Sequence, residues 1–217
     1  MEHFDLSKLP KHVASLAQTG LRALGFYQGT TRGIPGPLTD AAMLKYEDSL
    51  SEKPIDPPAS SMVDAFIAIA RAEVGVREEG GNNRGRRVQQ YQNGASWLGG
   101  TGWAWCAAFV CWCFDELAER FTLPFSTPEG AGAFWFEDWA KQQGLAILKP
   151  DAVIRKGDLI IYEYSHIGIA VSDEKAGKFQ VVEGNTNDGS SRDGDGVFEK
   201  TKTKRTAQIR TIIRPFA

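Results

Sequence analysis

Trp103-Ala-Trp-Cys-Ala-Ala-Phe-Val-Cys-Trp-Cys-Phe-Asp-Glu-Leu-Ala-Glu-Arg120 decides how the rest of the chain reads. A glycine-rich approach, Gly99-Gly-Thr-Gly102, precedes it, and neither Gly nor Pro interrupts it up to Arg120. Phe109, Val110, Cys113 and Leu117 recur at helical spacing, which predicts a largely buried helix with Cys106 in its first turn. A thiol there faces unpaired N–H groups and the positive end of the helix dipole, and both favour thiolate. Cysteine is also a common small hydrophobe of core helices. The helix alone leaves the two readings equal, so the choice falls on what lies downstream.

A thiol nucleophile needs a base, and the chain has three histidines. His3 and His12 lie near the N-terminus, outside any patterned strand. His166 opens His166-Ile-Gly-Ile-Ala-Val171, whose alternation predicts a strand. Ile167, Ile169 and Val171 take one face; His166, Gly168 and Ala170 take the other, a small-residue face expected to admit a helix backbone. A polar turn, Ser172 to Lys178, leads to Phe179-Gln-Val-Val-Glu183 and Gly184-Asn185, the returning strand of a hairpin. Cysteine on a helix, histidine on a strand and an acid on the next strand supply a nucleophile, a base and an orienter. Asn185 is a nearby polar alternative for the orienter. His166 and Glu183 share a face only if paired residue numbers in the hairpin sum to an odd value, as with Ile169 opposite Gln180 or His166 opposite Glu183. Asn185 has the same parity as Glu183.

Trp105-Cys-Ala-Ala-Phe-Val110, Lys156-Gly-Asp-Leu-Ile-Ile-Tyr162, Ser165-His-Ile-Gly-Ile-Ala-Val171 and Glu183-Gly-Asn-Thr186, in this order, resemble the CHAP branch of the NlpC/P60 cysteine peptidases. Glu78 to Gly85 and Asn187 to Val197 also look like family segments. The resemblance spans roughly residues 60 to 215. It implies a papain-like fold that cuts amide bonds in bacterial peptidoglycan, with Cys106, His166 and Glu183 or Asn185 as its catalytic set and no cofactor or metal. A shorter likeness, Leu21 to Gly29 and Gly33 to Ala42, is similar to the small three-helix peptidoglycan-binding module. It departs from that module at Arg32-Gly33 and Tyr46-Glu47.

Composition narrows the classes. Hydrophobic content of 42% with 24% charged residues is ordinary for a globular protein and excludes a disordered chain. A formal net charge of −2 gives no global pull toward nucleic acid or an anionic membrane. No apolar run reaches the length of a membrane span, and Met1-Glu-His-Phe-Asp-Leu6 lacks a signal peptide's basic-then-apolar pattern. The expectation is therefore synthesis in the cytoplasm and action in the periplasm or cell wall after export or lysis. Cys106, Cys111 and Cys113 lie on one helix at spacings that disfavour internal disulfides, and no Cys/His cluster has zinc spacing. The acids and glycines of Asp188 to Asp195 lack EF-hand spacing and read as a hairpin loop, not a calcium site.

Taken in order, residues 1–52 form a small helical, peptidoglycan-binding-like unit. It has one helix over Leu9 to Leu24, with Val13, Leu16, Leu21 and Leu24 as its apolar pattern, and a second capped by Thr39. Residues 53–59 are a proline-rich linker, and 60–217 are the catalytic domain. Ser60 or Ser61 caps a helix through Val74; Val88 to Gln92 and Ala131 to Gln143 are helical, the last stopped by Gly144. Five strands follow, at Asp158–Tyr162, His166–Val171, Phe179–Glu183, Val197–Thr201 and Ile209–Ile213. The fold class is α+β, helices packed on an antiparallel sheet, plus the N-terminal helical domain. Arg84, Arg86 and Arg87 form a basic cluster, either solvated or pairing one arginine with a stem-peptide carboxylate. Lys200, Lys202 and Lys204 read as edge protection.

The functional expectation is a peptidoglycan amidase or endopeptidase, of a phage lysin or of an injected antibacterial effector. Its partners are bacterial peptidoglycan and, for an effector, an inhibitor (immunity) protein. Rival readings are a papain-like acyltransferase and a non-catalytic wall-binding protein.

Overall fold

A computed structural model describes residues 10–23, 27, 39, 42, 43, 45, 59–95, 101–187 and 194–216. The chain divides into two compact units, 1–55 and 56–217. The linker residues 53–58, the loop residues 188–193 and Gly99-Gly100 lie outside the described residues.

In the first unit, helix α1 spans Lys11–Ala23. Its buried positions are Ala14, Gln18 and Leu21, one stripe at helical spacing. Leu16, read as part of the apolar pattern, is 70% exposed because it lies off that stripe. Thr39 is buried and already helical, and its hydroxyl accepts from Gln18 Nε2 at 3.0 Å. Leu21, Tyr27 and Ala42 form this unit's own apolar cluster.

The second unit begins with α2, Ala59–Ala72, so Ala59 belongs to a helix and not to the linker. Helices α3 (Arg86–Gly94), α4 (Cys106–Ala118) and α5 (Trp135–Gln142) follow. The last is shorter than the predicted Ala131 to Gln143, and it stops at Gly144, whose φ of 69° is the left-handed terminator expected there. The strands are β1 Ala146–Leu148, β2 Leu159–Tyr162, β3 His166–Ala170, β4 Lys178–Thr186, β5 Gly196–Thr203 and β6 Ile209–Arg214. They make one antiparallel six-stranded sheet in the order β1-β6-β2-β3-β4-β5. The fold is α+β as predicted, with one strand more: β1 has three residues, too few for alternation to register.

The sheet buries both faces. Ile167, Ile169, Val171, Val182, Leu159, Ile161 and Ile213 pack with α4 and α2 in the main core. Ile160, Tyr162, Ala170, Phe179, Val181 and Ile212 form a second cluster on the opposite face. Helix α4 is buried on nearly every side from Cys106 to Phe114, as its weak polar/apolar segregation requires. This corrects the sequence reading: α4 lies against the isoleucine face of β3, and the small residues Gly168 and Ala170 face away from it.

Candidate active site

The turn before β3 fixes where His166 stands. Tyr162 pairs with His166 across Glu163-Tyr164-Ser165, and Ser165 has a left-handed φ of 60°. Its N–H donates to Tyr162 O at 3.1 Å. Three-residue hairpins close in this way, the left-handed position coming last; a serine there costs on the order of 1 kcal/mol. Tyr162, Tyr164 and His166 consequently stack, with ring centroids 5.2 to 6.0 Å apart.

Between β3 and β4, Ile169 pairs with Val182 and Ala170 with Val181. The sums are odd, so His166 and Glu183 share a face, although the register differs from the pairs given as examples. Glu183 stands over Gly168, where an added Cβ would lie 2.7 Å from Glu183 Cγ and 2.7 Å from Val181 Cγ2. The glycine therefore makes room for the carboxylate, not for a helix. Gly168→Ala is expected to displace Glu183 and to cost about 1–3 kcal/mol as an overpacked site. Its check is a lowered thermal midpoint together with lost activity; an unchanged midpoint would contradict the close approach.

Glu183 is 1% exposed, with Oε2 3.6 Å from His166 Nε2. That is ion-pair distance, longer than a hydrogen bond. With Nε2 on the carboxylate side, Nδ1 is the atom left for the thiol. Cys106, 7% exposed, lines the same cavity as His166, and the backbone of Ala107 and Ile167 acts with His166 to favour its thiolate.

Electrostatics follows from these contacts. Burial opposes ionisation of Cys106, but the charge of His166, its hydrogen bond and the two backbone donors outweigh it and hold the thiol below its ordinary value. Burial likewise opposes charge on His166; the Cys106 charge and hydrogen bond, then Glu183, raise the imidazole to about 9. Burial would raise the Glu183 carboxyl, yet His166 and Lys202 bring it down to about 2. Burial pushes Cys111 and Cys113 up, the opposite of Cys106. Both are free and fully buried, and Cys111 Sγ donates to Gly130 O at 3.3 Å.

Asn185 does not take the orienter's place. The strand is irregular between Glu183 and Thr186, and Asn185 has a φ of 49°. Its amide is turned to the backbone N–H of Trp105 and to the Asn83 side chain, each 2.8 Å away. The shared parity with Glu183 is broken by that irregularity. Next to it, Gly184 lets the strand meet α4: an added Cβ would lie 2.7 Å from Phe109 Cβ.

Several groups that hold the site were not singled out in the sequence. Residues 75–78 run beside β5, with Gly75 N–H donating to Val197 O and Glu78 N–H to Asp195 O. Glu78 there accepts from Trp105 Nε1 and from Asn83 N, both at 2.8 Å. Gln92 Nε2 donates to Trp103 O at 2.8 Å. These bonds fix the approach to Cys106. Arg87 makes a two-pronged pair with Glu73 at 2.6 and 2.7 Å, and Tyr91 also donates to Glu73, so that arginine is structural. Lys202 and Lys204 are not edge protection. Lys202 Nζ lies 2.6 Å from Glu183 Oε1, and Lys204 pairs with Glu174 at 2.9 Å. The β4–β5 register sets this face: Phe198 opposes Glu183, and Lys200 and Lys202 share the parity of Phe198.

The groups meet in a cavity of about 710 Å³ lined by Cys106, His166, Glu183, Asn185, Tyr164 and Lys202 among others. Its volume is that of a ligand site. Among the described residues no group of His, Cys, Asp and Glu could hold a metal ion, and no helix is long and apolar enough to cross a membrane.

Residues 83–185 match the CHAP domain family. No curated protein matches the chain. Among solved structures, that of a wild-type endolysin, LysIME-EF1, is similar with a TM-score of 0.45 and 20% identity, covering 71% of this chain and 64% of that one. The chain thus spans less than two thirds of that endolysin's length. The matched stretch, a little under half of the chain, carries Cys106, His166 and Glu183 on the elements just described.

Proposed function

We propose that the second unit hydrolyses amide bonds in the peptide stems of bacterial peptidoglycan, with Cys106 as nucleophile, His166 as acid–base and Glu183 as orienter. The observation that supports it is the line of alternating charge from Cys106 through His166 to Glu183 within one cavity. The CHAP match supports the substrate class. The Cys106 thiolate attacks the amide carbonyl. The backbone N–H of Cys106, in the first turn of α4, is the donor for the developing oxyanion, an effect of about 3 kcal/mol for one such donor. The C–N bond breaks as the leaving amine takes a proton from the imidazolium. Water then attacks the thioester, giving its proton to the neutral imidazole, and the thiolate departs.

Mass spectrometry of purified peptidoglycan digested with the protein tests this reading. It is expected to find new free amines and carboxylates, and their position separates sugar–peptide amidase from endopeptidase. Joined rather than hydrolysed peptides would indicate an acyltransferase, and unaltered peptidoglycan would refute the hydrolase.

The first unit is proposed to hold the enzyme on the wall. Deleting residues 1–55 is expected to leave cleavage of soluble fragments intact and to reduce co-sedimentation with sacculi. Equal sedimentation of both forms would remove the binding role.

A further inference from the structure

The charges of the site do not end at Glu183. Its Oε1 is 2.6 Å from Lys202 Nζ, a closer approach than the 3.6 Å between Oε2 and His166. Lys202 is itself fixed: its ammonium lies 4.1 Å above the Tyr162 ring and donates to Tyr164 Oη at 3.1 Å. We propose that Lys202 is the permanent counter-ion of Glu183, a positioning residue that keeps the carboxylate ionised and in place while the imidazole is neutral. The proposal rests on the thiol mechanism above.

The need for such a residue follows from the cycle. In the resting site the signs alternate: thiolate, imidazolium, carboxylate, ammonium. Acylation removes two of them together, because the thiolate becomes a thioester as the imidazolium gives its proton to the departing amine. Glu183 is then a carboxylate at 1% exposure beside a neutral ring. A buried charge stripped of its partner takes up a proton or leaves the site. Either outcome would cost His166 its orienter before water attacks. Lys202 stays charged throughout and holds Glu183 for deacylation, when the imidazole accepts a proton and again needs the carboxylate.

The groups facing His166 are Cys106 from α4, Tyr162 from β2, Tyr164 from the turn, Glu183 from β4, and Lys200 and Lys202 from β5. Lys200 is the more distant lysine, 3.9 Å from Glu183 Oε2, and its Nζ donates to Thr186 Oγ1 at 2.8 Å. It does not duplicate the contact on Oε1.

The test is a ¹³C NMR titration of the histidine Cε1 positions in full-length protein. With three histidines, the signal lost in His166→Asn assigns the residue. In Lys202→Met, the His166 midpoint is expected to rise by about one pH unit, since losing the imidazolium proton would then leave the buried Glu183 carboxylate without its Lys202 counter-ion. Hydrolysis should slow through kcat with KM unchanged, and Lys202→Arg should restore both readouts. A midpoint that stays or falls, or an arginine variant that behaves like methionine, would overturn the proposal. Lys202→Gln gives the same two readouts should the methionine variant not fold. The titration needs no substrate, so it stands or falls separately from peptidoglycan cleavage.

Discussion

Cys106→Ala is expected to lower the cleavage rate of purified peptidoglycan by about a thousandfold or more, as loss of a nucleophile does in a coupled catalytic set. The change removes one small buried atom at the start of α4, so the far-UV spectrum and cooperative unfolding should persist. Cys106→Ser should be equally inactive, because His166 matched to a thiol leaves a hydroxyl protonated. Cys111→Ala and Cys113→Ala should keep the activity and lose stability, both being fully buried. Turbidity clearance of sacculi measures all four. Undiminished clearance by either Cys106 variant would contradict the thiol mechanism.

Glu183→Gln carries the second large effect. The amide keeps the shape over Gly168 but removes the charge that faces His166 and Lys202. Hydrolysis is expected to fall by roughly a hundredfold or more, as when a triad acid becomes an amide. The alkaline limb of the rate should move below the wild-type value, since Glu183 helps to raise His166 to about 9. Stability should follow the same ionisations. His166 is raised from 6.5, so its contribution is complete below 6.5 and is lost as pH climbs through about 9. Glu183 is lowered from 4.5, so its contribution holds above 4.5 and is lost as pH falls toward about 2. Thermal midpoints of wild type and Glu183→Gln across pH check both signs. Parallel curves at acid pH would contradict the Glu183 assignment.

The α4 helix was legible because a thirteen-residue run without Gly or Pro and buried on most sides has few other ways to fold. The β3–β4 hairpin was legible because alternation marks faces, and the odd-sum condition follows from that alone. Four features were not. The face on which α4 packs depends on which side of the sheet is covered, and His166 at the start of β3 reaches Cys106 without sharing the helix's face. The turning of Asn185 comes from a local irregularity in β4, which alternation cannot carry. The role of Lys202 depends on the β4–β5 register, and a lysine on an edge strand has a sufficient explanation without a partner. Strand β1 failed for want of length. Local signals, then, placed Cys106, His166 and Glu183 on their elements, while the contacts that tune them arise between strands distant in sequence.

The thiol mechanism proposed above requires that His166 hold Cys106 as a thiolate. Its most direct measurement is the rate of iodoacetamide alkylation at each cysteine, read by peptide mass spectrometry at pH 6 in wild type and His166→Ala. The thiol held below its ordinary value predicts rapid, selective modification of Cys106, with Cys111 and Cys113 untouched, and a rate that collapses in His166→Ala. Modification of Cys106 no faster than an ordinary thiol, or equally fast without His166, would contradict the account.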